Sequence, residues 1–349
     1  MQFSLTNLIL TLTAIQALLL NFSNAQQCSL TKTDIQSRNY VFFVDNHLMR
    51  QTTVASGSNL RLACNGNAAT VHTCQNGALN PALPTDNCVN RVKPVIISGQ
   101  SPDCAAPATL YTVGFKTGTQ FSELYRACYI KANVQPKFVQ HTVYRNLFAT
   151  NRPEVSFTTD LIITGADSLS FEAKSVYDRF VALLGDSQAY AQGPSDIIIN
   201  RGHLAPSADF LFIENKRATF KYINIMPQFA TINNGNWKTI EEWVQKLNSN
   251  SVNVKTGTIG VLELPHADDP TKLVPMYLGA GAKNPIPQWT YKIVDNDVFV
   301  TYNNPFATDL PSRLPCTAVN CPAIGLKADF RIGYTYCCNI NSLNSIING

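Results

Sequence analysis

Apolar and polar positions in the middle of the chain alternate in a way that predicts two short strands followed by a helix. A β-branched run predicts a buried strand over 196–199, and a second short strand is predicted over 221–226. Asn233 or Asn234 suits a helix N-cap, because a carboxamide oxygen accepts a hydrogen bond from an unpaired backbone N–H. Four apolar residues at helical spacing then predict one amphipathic helix: Trp237, Ile240, Val244 and Leu247.

The rest of the chain is predicted to form mostly strands. Before residue 100, short apolar runs alternate with Gly, Asn and Ser turns, which is typical of a small all-β domain. Residues 99–107 are rich in Gly, Pro and Ser and are predicted as a linker. Helical spacing predicts a helix over 168–184. Apolar runs predict further strands over 111–115, 142–147, 256–264, 274–278 and 288–302. The expected fold class is α+β.

Length and the first residues divide the chain into three predicted parts. Residues 1–25 carry no Lys, Arg, Asp or Glu, are mostly apolar over 8–20 and end in small residues. This predicts a secretory signal peptide and an extracellular protein. A membrane anchor is the alternative, but the apolar run is shorter than the ~20 residues that a span needs, and no later segment favours a membrane. The remaining length predicts a small domain over 26–100 and a larger one over 101–349.

The cysteines favour disulfides. All 10 lie after the expected cleavage site, and an even count behind a signal peptide is typical of an oxidising compartment. No Cys-x2-Cys pair precedes a His-x3-His pair, which argues against a zinc site. Four cysteines lie before residue 90 and four after residue 315, so we expect local pairing within each cluster.

The net charge is only mildly basic. Lys and Arg number 27 and Asp and Glu number 23, which gives a formal charge of +4. This is far from the excess of a basic arm that coats nucleic acid. Any contact with nucleic acid must therefore come from local placement of arginine and lysine.

One of the 5 histidines stands out. His203 follows the predicted strand end directly after Arg201 and Gly202, and the glycine is expected to let the backbone turn and aim the imidazole outward. A neutral imidazole suits a general base, because its ordinary pKa is ~6.5. The alternative is a surface histidine or a satisfied core histidine, and Arg-Gly-His alone does not decide between them.

Three neighbouring motifs together are more specific. The chain carries Asn-Arg-Gly-His-Leu-Ala-Pro at 200–206, Asn-Ile-Met-Pro-Gln at 224–228 and Ile-Asn-Asn-Gly-Asn-Trp at 232–237. This combination resembles the DNA/RNA non-specific endonuclease family, and within it the secreted arthropod nucleases that degrade double-stranded nucleic acid. The resemblance covers about 105–335 and says nothing about 26–100. It implies a ββα-metal nuclease core.

The resemblance also implies roles for single residues. His203 would be the general base, and Asn233 the protein ligand of one Mg²⁺, with Mn²⁺ as a substitute. Asn224 and Glu241 would support the site, and Arg201 would hold phosphate charge. Structural alternatives stay open: a plain N-cap for Asn233, a solvated carboxylate for Glu241 and a strand exit for Asn224. Asn233 and Glu241 are separated by ~12 Å in one straight helix, so Glu241 is expected to act through water or on an arginine.

Two positions depart from the family pattern. Asn200 stands where many members have Asp. Gln245 stands where the bacterial relatives have an arginine that stabilises the transition state. Another cation must then take that role. Arg145 is the first candidate, with Lys238 and Lys246 behind it.

These observations predict a secreted, Mg²⁺-dependent endonuclease that hydrolyses DNA and RNA with little sequence specificity. Backbone contacts would dominate binding, double-stranded substrates are left open, and no obligate protein partner is indicated. Activity is expected to fall below about pH 6.5 as the histidine protonates. One alternative is a non-catalytic nucleic-acid binder on the same fold. Another is a disulfide-rich recognition protein whose N-terminal region binds glycans or a protein.

Overall fold

The computed structural model describes residues 26–65 and 70–347. The predicted signal peptide, 1–25, lies outside the described residues. The chain divides into two compact units, Met1–Val92 and Lys93–Gly349. This boundary comes a few residues before the predicted one at residue 100. The division into separate domains stays a prediction.

The first unit is a small β-structure with two disulfides. Its strands are Cys28–Ser29 (β1), Val41–Val44 (β2), His47–Leu48 (β3), Thr53–Val54 (β4), Asn59–Ala63 (β5), Thr70–Gln75 (β6) and Ala78–Asn80 (β7). The five-stranded antiparallel sheet has the order β3-β2-β5-β6-β7, and β1 pairs with β4. The disulfides Cys28–Cys74 and Cys64–Cys88 cross-link the unit. The unit also contains one short helix, Lys32–Gln36 (α1), which begins after an N-cap at Thr31.

The second unit is built on a nine-stranded antiparallel sheet within the described residues. The strands of this unit are Val95–Gly99 (β8), Thr109–Thr117 (β9), Gln120–Ile130 (β10), Gln135–Tyr144 (β11), Ile199–His203 (β12), Ile225–Phe229 (β13), Ser251–Ile259 (β14), Glu263–His266 (β15), Asp269–Pro275 (β16), Tyr277–Gly279 (β17), Lys283–Pro285 (β18), Trp289–Val294 (β19), Asp297–Tyr302 (β20), Ala318–Val319 (β21) and Thr335–Cys338 (β22). The strand order in the large sheet is β21-β22-β20-β19-β14-β11-β10-β9-β8, and the other strands form the pairs β12-β13, β15-β16 and β17-β18. Its α-helices are Gly165–Leu169 (α2), Ala173–Leu184 (α3), Ile213–Arg217 (α4), Ala230–Asn233 (α5), Asn236–Lys246 (α6) and Ile340–Ile347 (α7). Short 3₁₀ helices cover Ser207–Asp209, Tyr222–Asn224 and Phe330–Ile332.

The α+β class is confirmed, and so is local pairing of the cysteines. Cys316 pairs with Cys338 and Cys321 with Cys337, inside the C-terminal cluster. The prediction of a linker over 99–107 is wrong, because this segment lies within the second unit and is bonded to its sheet. The disulfide Cys104–Cys128 ties it to β10. Within the described ranges, no helix has the length and apolar character to cross a bilayer.

The strands β12 and β13 and the helices after them follow the predicted order of strand, loop, strand and helix. We refer to the pair β12–β13, whose strands are joined by residues 204–224, as the hairpin. β12 and β13 pair antiparallel, with Gly202 opposite Met226 and His203 opposite Ile225. The predicted turn at Gly202 is wrong, because this residue lies inside β12. Gly202 is required for a different reason. A Cβ atom there would lie 2.7 Å from the Gln228 Oε1 atom, so the hairpin packs closely only without a side chain.

Helix α6 packs its apolar stripe into the core. Trp237 and Ile240 are fully buried and Val244 is nearly so, which confirms the predicted stripe, while Leu247 comes just after the helix end. Each such side chain stabilises the fold by about 1.5–3 kcal/mol when it leaves water. The Trp243 ring lies 5.2 Å from that of Phe299 on β20. This contact packs α6 against the nine-stranded sheet.

Candidate active site

A cleft of about 480 Å³ opens beside the hairpin. It is lined by Asn200 and Asn234 and by four residues with a predicted role in the chemistry, which are Arg201, His203, Asn233 and Glu241. They come from β12, α5 and α6, and the ββα arrangement brings them together. Asn224 and Arg145 are not among the residues that line this cleft.

His203 ends β12 and is buried at the cleft. Its ring centroid lies 5.2 Å from those of Phe157 and Phe220, and among the described residues its Nε2 atom has no hydrogen-bond partner. Burial, and then the charge of Arg152, lower the pKa of His203 from 6.5 to about 3. The imidazole is therefore neutral at neutral pH, and a pKa this low makes it a weaker proton acceptor than an ordinary histidine. The expected loss of activity at pH 6.5 does not agree with this lowered pKa.

Asn233 ends the short helix α5 and is half-buried at the cleft. In the part of the chain that the structure describes, its carboxamide makes no protein hydrogen bond. Asn236 differs from it, because its buried carboxamide donates to the carbonyl oxygens of Lys327 and Gly333 and accepts from the Lys327 N–H. Asn236 thus holds the loop that follows residue 326, while the oxygen of Asn233 stays available to a ligand.

The predicted N-cap at Asn233 or Asn234 is wrong. Asn234 is the C-cap of α5, and Gly235 occupies the N-cap of α6 without a side-chain hydrogen bond. A Cβ at Gly235 would lie 2.5 Å from the Ile332 carbonyl oxygen, so close packing selects glycine there. Asn233 and Glu241 consequently belong to two different helices. The separation of ~12 Å expected along one straight helix does not apply.

Glu241 faces the cleft from α6, and the charge of the buried Lys292 acts on it. Burial raises the pKa of Glu241, and Asp209 adds to this, while Lys292 and Arg152 oppose it. Lys292 is fully buried on β19. Its Nζ donates to Thr256 Oγ1 at 2.8 Å and lies 5.0 Å from the Trp237 ring centroid. Burial lowers the pKa of Lys292, and the two carboxylates oppose that shift. Glu241 is thus half-buried at the cleft rather than fully solvated.

Arg201 projects from β12 into an aromatic surrounding. Its guanidinium donates to Glu172 Oε1 at 2.6 Å. The guanidinium carbon lies 5.6 Å from the Phe171 ring centroid, 5.8 Å from that of Phe157 and 6.0 Å from that of Tyr222. These contacts fix the cation where it meets the cleft, and Arg planes stack well on such rings.

Asn224 acts on the backbone behind the cleft. It is fully buried, and its Oδ1 accepts from the Ala205 N–H at 2.9 Å. Its Nδ2 donates to the carbonyl oxygens of Ala205 at 3.0 Å and Thr219 at 2.9 Å. All of these bonds are to main chain, so the side chain fixes the segment that leaves His203.

The structure does not bring the predicted replacement cations into the cleft. The Arg145 guanidinium donates to Asn248 Oδ1 at 2.7 Å. Lys238 and Lys246 flank Glu242, at 3.8 Å and 3.9 Å.

Gln245 is also turned away from the cleft. Its Nε2 donates to Asp209 Oδ1 at 3.1 Å, and the other oxygen of Asp209 lies 2.8 Å from His141 Nε2. The amide therefore satisfies a buried carboxylate, and no cation stands at this position.

Arg152 is the basic cleft residue that the sequence did not reveal. It lines the cleft, and its guanidinium carbon lies 5.0 Å from the Phe220 ring centroid. Its charge acts on both His203 and Glu241. Its neighbours in the sequence, Asn151 and Pro153, give no local signal, because its contact with Phe220 is long-range.

The chain is similar in sequence to several known proteins and in structure to a solved complex. The sequence model of the DNA/RNA non-specific endonuclease family matches residues 106–343. A salivary endonuclease of Lutzomyia longipalpis is 28% identical over 303 residues, covering 81% of this chain and 71% of the relative. A salivary endonuclease of Culex quinquefasciatus is 26% identical over 296 residues, covering 79% and 73%. The solved complex of EndoG with EndoGI is 22% identical with a TM-score of 0.36, covering 54% of this chain and 74% of that chain.

Proposed function

Because the chain belongs to the DNA/RNA non-specific endonuclease family, whose members are metal-dependent nucleases, we propose that it is a secreted, Mg²⁺-dependent endonuclease. It hydrolyses phosphodiester bonds of DNA and RNA with little sequence preference. One observation carries the proposal, which is that a single cleft is lined by His203, Asn233, Glu241, Arg152 and Arg201.

The residues present fit a magnesium ion. Mg²⁺ prefers oxygen ligands and keeps several waters. Asn233 is half-buried, it lines the cleft, and its carboxamide makes no hydrogen bond with the described residues. Asn233 would hold the ion directly, and Glu241 would act on its waters. When bound, the ion supplies positive charge to the phosphoryl oxygens and the leaving group.

His203 would take the proton from the attacking water. Its neutral form at neutral pH has a free lone pair for that proton. The segment that follows it is fixed by Asn224, so the imidazole keeps its direction while substrate binds. This arrangement favours the base role over that of a satisfied core histidine.

Arg201 and Arg152 would hold the phosphate. A guanidinium presents several N–H donors in one plane and suits phosphate oxygens. Arg152 also takes the role for which the chain lacks an arginine at Gln245. Since these contacts are to the backbone of the nucleic acid, binding would depend weakly on sequence and strongly on salt.

Secretion into an oxidising compartment is part of the proposal. Five disulfides pair all the cysteines, and two relatives are salivary endonucleases by name. We extend this to nucleic acid met outside the cell, long duplex RNA included.

One assay tests the proposal. Purified protein is incubated with supercoiled plasmid and with long duplex RNA, each with Mg²⁺ and with EDTA. We expect both substrates to be cut with Mg²⁺ and neither with EDTA. Asn233→Ala should require far more Mg²⁺, whereas the control Asn250→Ala, at an exposed position outside the cleft, should not. Cleavage in EDTA would contradict the metal role, and binding without product would favour a non-catalytic binder.

A further inference from the structure

Phe157 contacts both the proposed base and the proposed phosphate-binding arginine. Its ring centroid lies 5.2 Å from that of His203, and the Arg201 guanidinium carbon lies 5.8 Å from the same centroid. The residue lines the cleft but stands outside every motif in the sequence. It reaches the site from an irregular segment between β11 and α2.

Backbone hydrogen bonds attach that segment to residues 220–222, just before β13. Thr158 donates its N–H to the Phe220 carbonyl oxygen at 3.0 Å and accepts from the Tyr222 N–H at 3.1 Å. The buried Lys221 also binds this segment, because its Nζ donates to Asp160 Oδ1 at 2.7 Å. These bonds hold the backbone directly after Phe157, so the position of the ring depends on them as well as on its own packing.

The neighbouring rings each contact one of the two groups. Phe220 contacts His203, and Phe171 contacts Arg201. Among the described residues, no contact joins Phe220 to Arg201 or Phe171 to His203. Phe157 is packed against both Phe220 and Tyr222, at 5.2 Å and 5.8 Å between ring centroids. Its ring therefore bridges the two halves of the site.

We propose that Phe157 is a positioning residue that fixes the His203 imidazole and the Arg201 guanidinium relative to each other. This rests on the proposed function, because the spacing matters only if one phosphate meets both groups. The ring restricts the imidazole by contact and the guanidinium by cation–π attraction. A misplacement of about 1 Å at a reacting group costs on the order of a hundredfold in rate.

The test compares Phe157→Leu with Phe171→Leu in Mg²⁺-dependent cleavage of duplex RNA. Phe306→Leu, at an exposed ring outside the cleft, is the control and should leave kcat and KM unchanged. We expect Phe157→Leu to lower kcat by about tenfold or more and to raise KM, because it loosens both groups. Phe171→Leu should raise KM with kcat close to wild type, because it loosens the arginine alone. Phe157→Tyr keeps the ring and should restore kcat.

Thermal unfolding of each variant separates positioning from loss of fold, and the kcat of Phe157→Tyr decides the test if the leucine variant does not fold. A wild-type kcat in folded Phe157→Leu would overturn the inference while leaving the nuclease intact. So would a low kcat in folded Phe157→Tyr. A wild-type protein that cuts nothing with Mg²⁺ would overturn the proposed function and this inference with it.

Discussion

The carboxamide of Asn224 brackets the backbone of Ala205. It accepts from the Ala205 N–H at 2.9 Å and donates to the Ala205 carbonyl oxygen at 3.0 Å. Ala205 follows two residues after His203, so this pair fixes the direction in which the chain leaves the imidazole. Asn224 thus contributes to the site without lining the cleft.

Asn224→Ala should destabilise the protein strongly. The change removes three buried hydrogen bonds and leaves main-chain groups unpaired, so we expect the free energy of unfolding to fall by about 2–4 kcal/mol. Urea titration at pH 7 measures this. Asn253→Ala, at an exposed position, is the control and should change the free energy by less than about 0.5 kcal/mol. Equal midpoints for the two variants would contradict the bracketing role.

Gly202→Ala should destabilise the hairpin. The new methyl group would meet Gln228 Oε1 at 2.7 Å and Gln228 Cβ at 2.9 Å, so one strand must shift, at a cost of about 1–3 kcal/mol. Gly165→Ala is the matched control, because a Cβ there meets nothing within 4 Å. Thermal unfolding of both variants checks this. A harmless Gly202→Ala would show that the hairpin has room for a side chain.

The low pKa of His203 makes stability depend on pH. Burial and Arg152 lower it from 6.5 to about 3, so between these values the unfolded chain binds a proton that the folded chain does not. The contribution is present above pH 6.5 and is lost as pH falls, by about 1.4 kcal/mol per unit. Urea titrations at pH 6.5, 5.5 and 4.5 should show this loss in wild type relative to His203→Gln. A constant difference between the two proteins would contradict the lowered pKa.

Arg152→Met should lower cleavage far more than Arg145→Met. Arg152 lines the cleft, whereas the Arg145 guanidinium is bonded to Asn248. Removal of one donor to a developing charge costs about a hundredfold, so we expect that loss in kcat/KM for Arg152→Met. Arg145→Met should stay within about twofold. Steady-state kinetics on duplex RNA at fixed salt measures both, and a reversed order would return the role to Arg145.

Features that depend on residues close in the sequence could be predicted. Examples are the apolar stripe of α6 and the pairing of cysteines within each of the two clusters. Strand β10 was missed, because polar residues such as Glu123 and Arg126 interrupt it and a register shift follows Glu123. Gly202 was misread, since glycine serves both tight turns and close packing. Arg152 and Phe157 reach the cleft through long-range contacts, which leave no local signal.

The proposed hydrolysis depends most on the imidazole of His203 in a cleft that holds a divalent ion. Single-turnover cleavage of a plasmid with excess Mg²⁺ tests it most directly, with wild type, His203→Gly and the exposed control His47→Ala. We predict that His203→Gly loses at least about a hundredfold in rate, that added imidazole restores part of it, and that His47→Ala cuts as wild type does. A folded His203→Gly protein that cuts at the wild-type rate would contradict the role of His203 as the base.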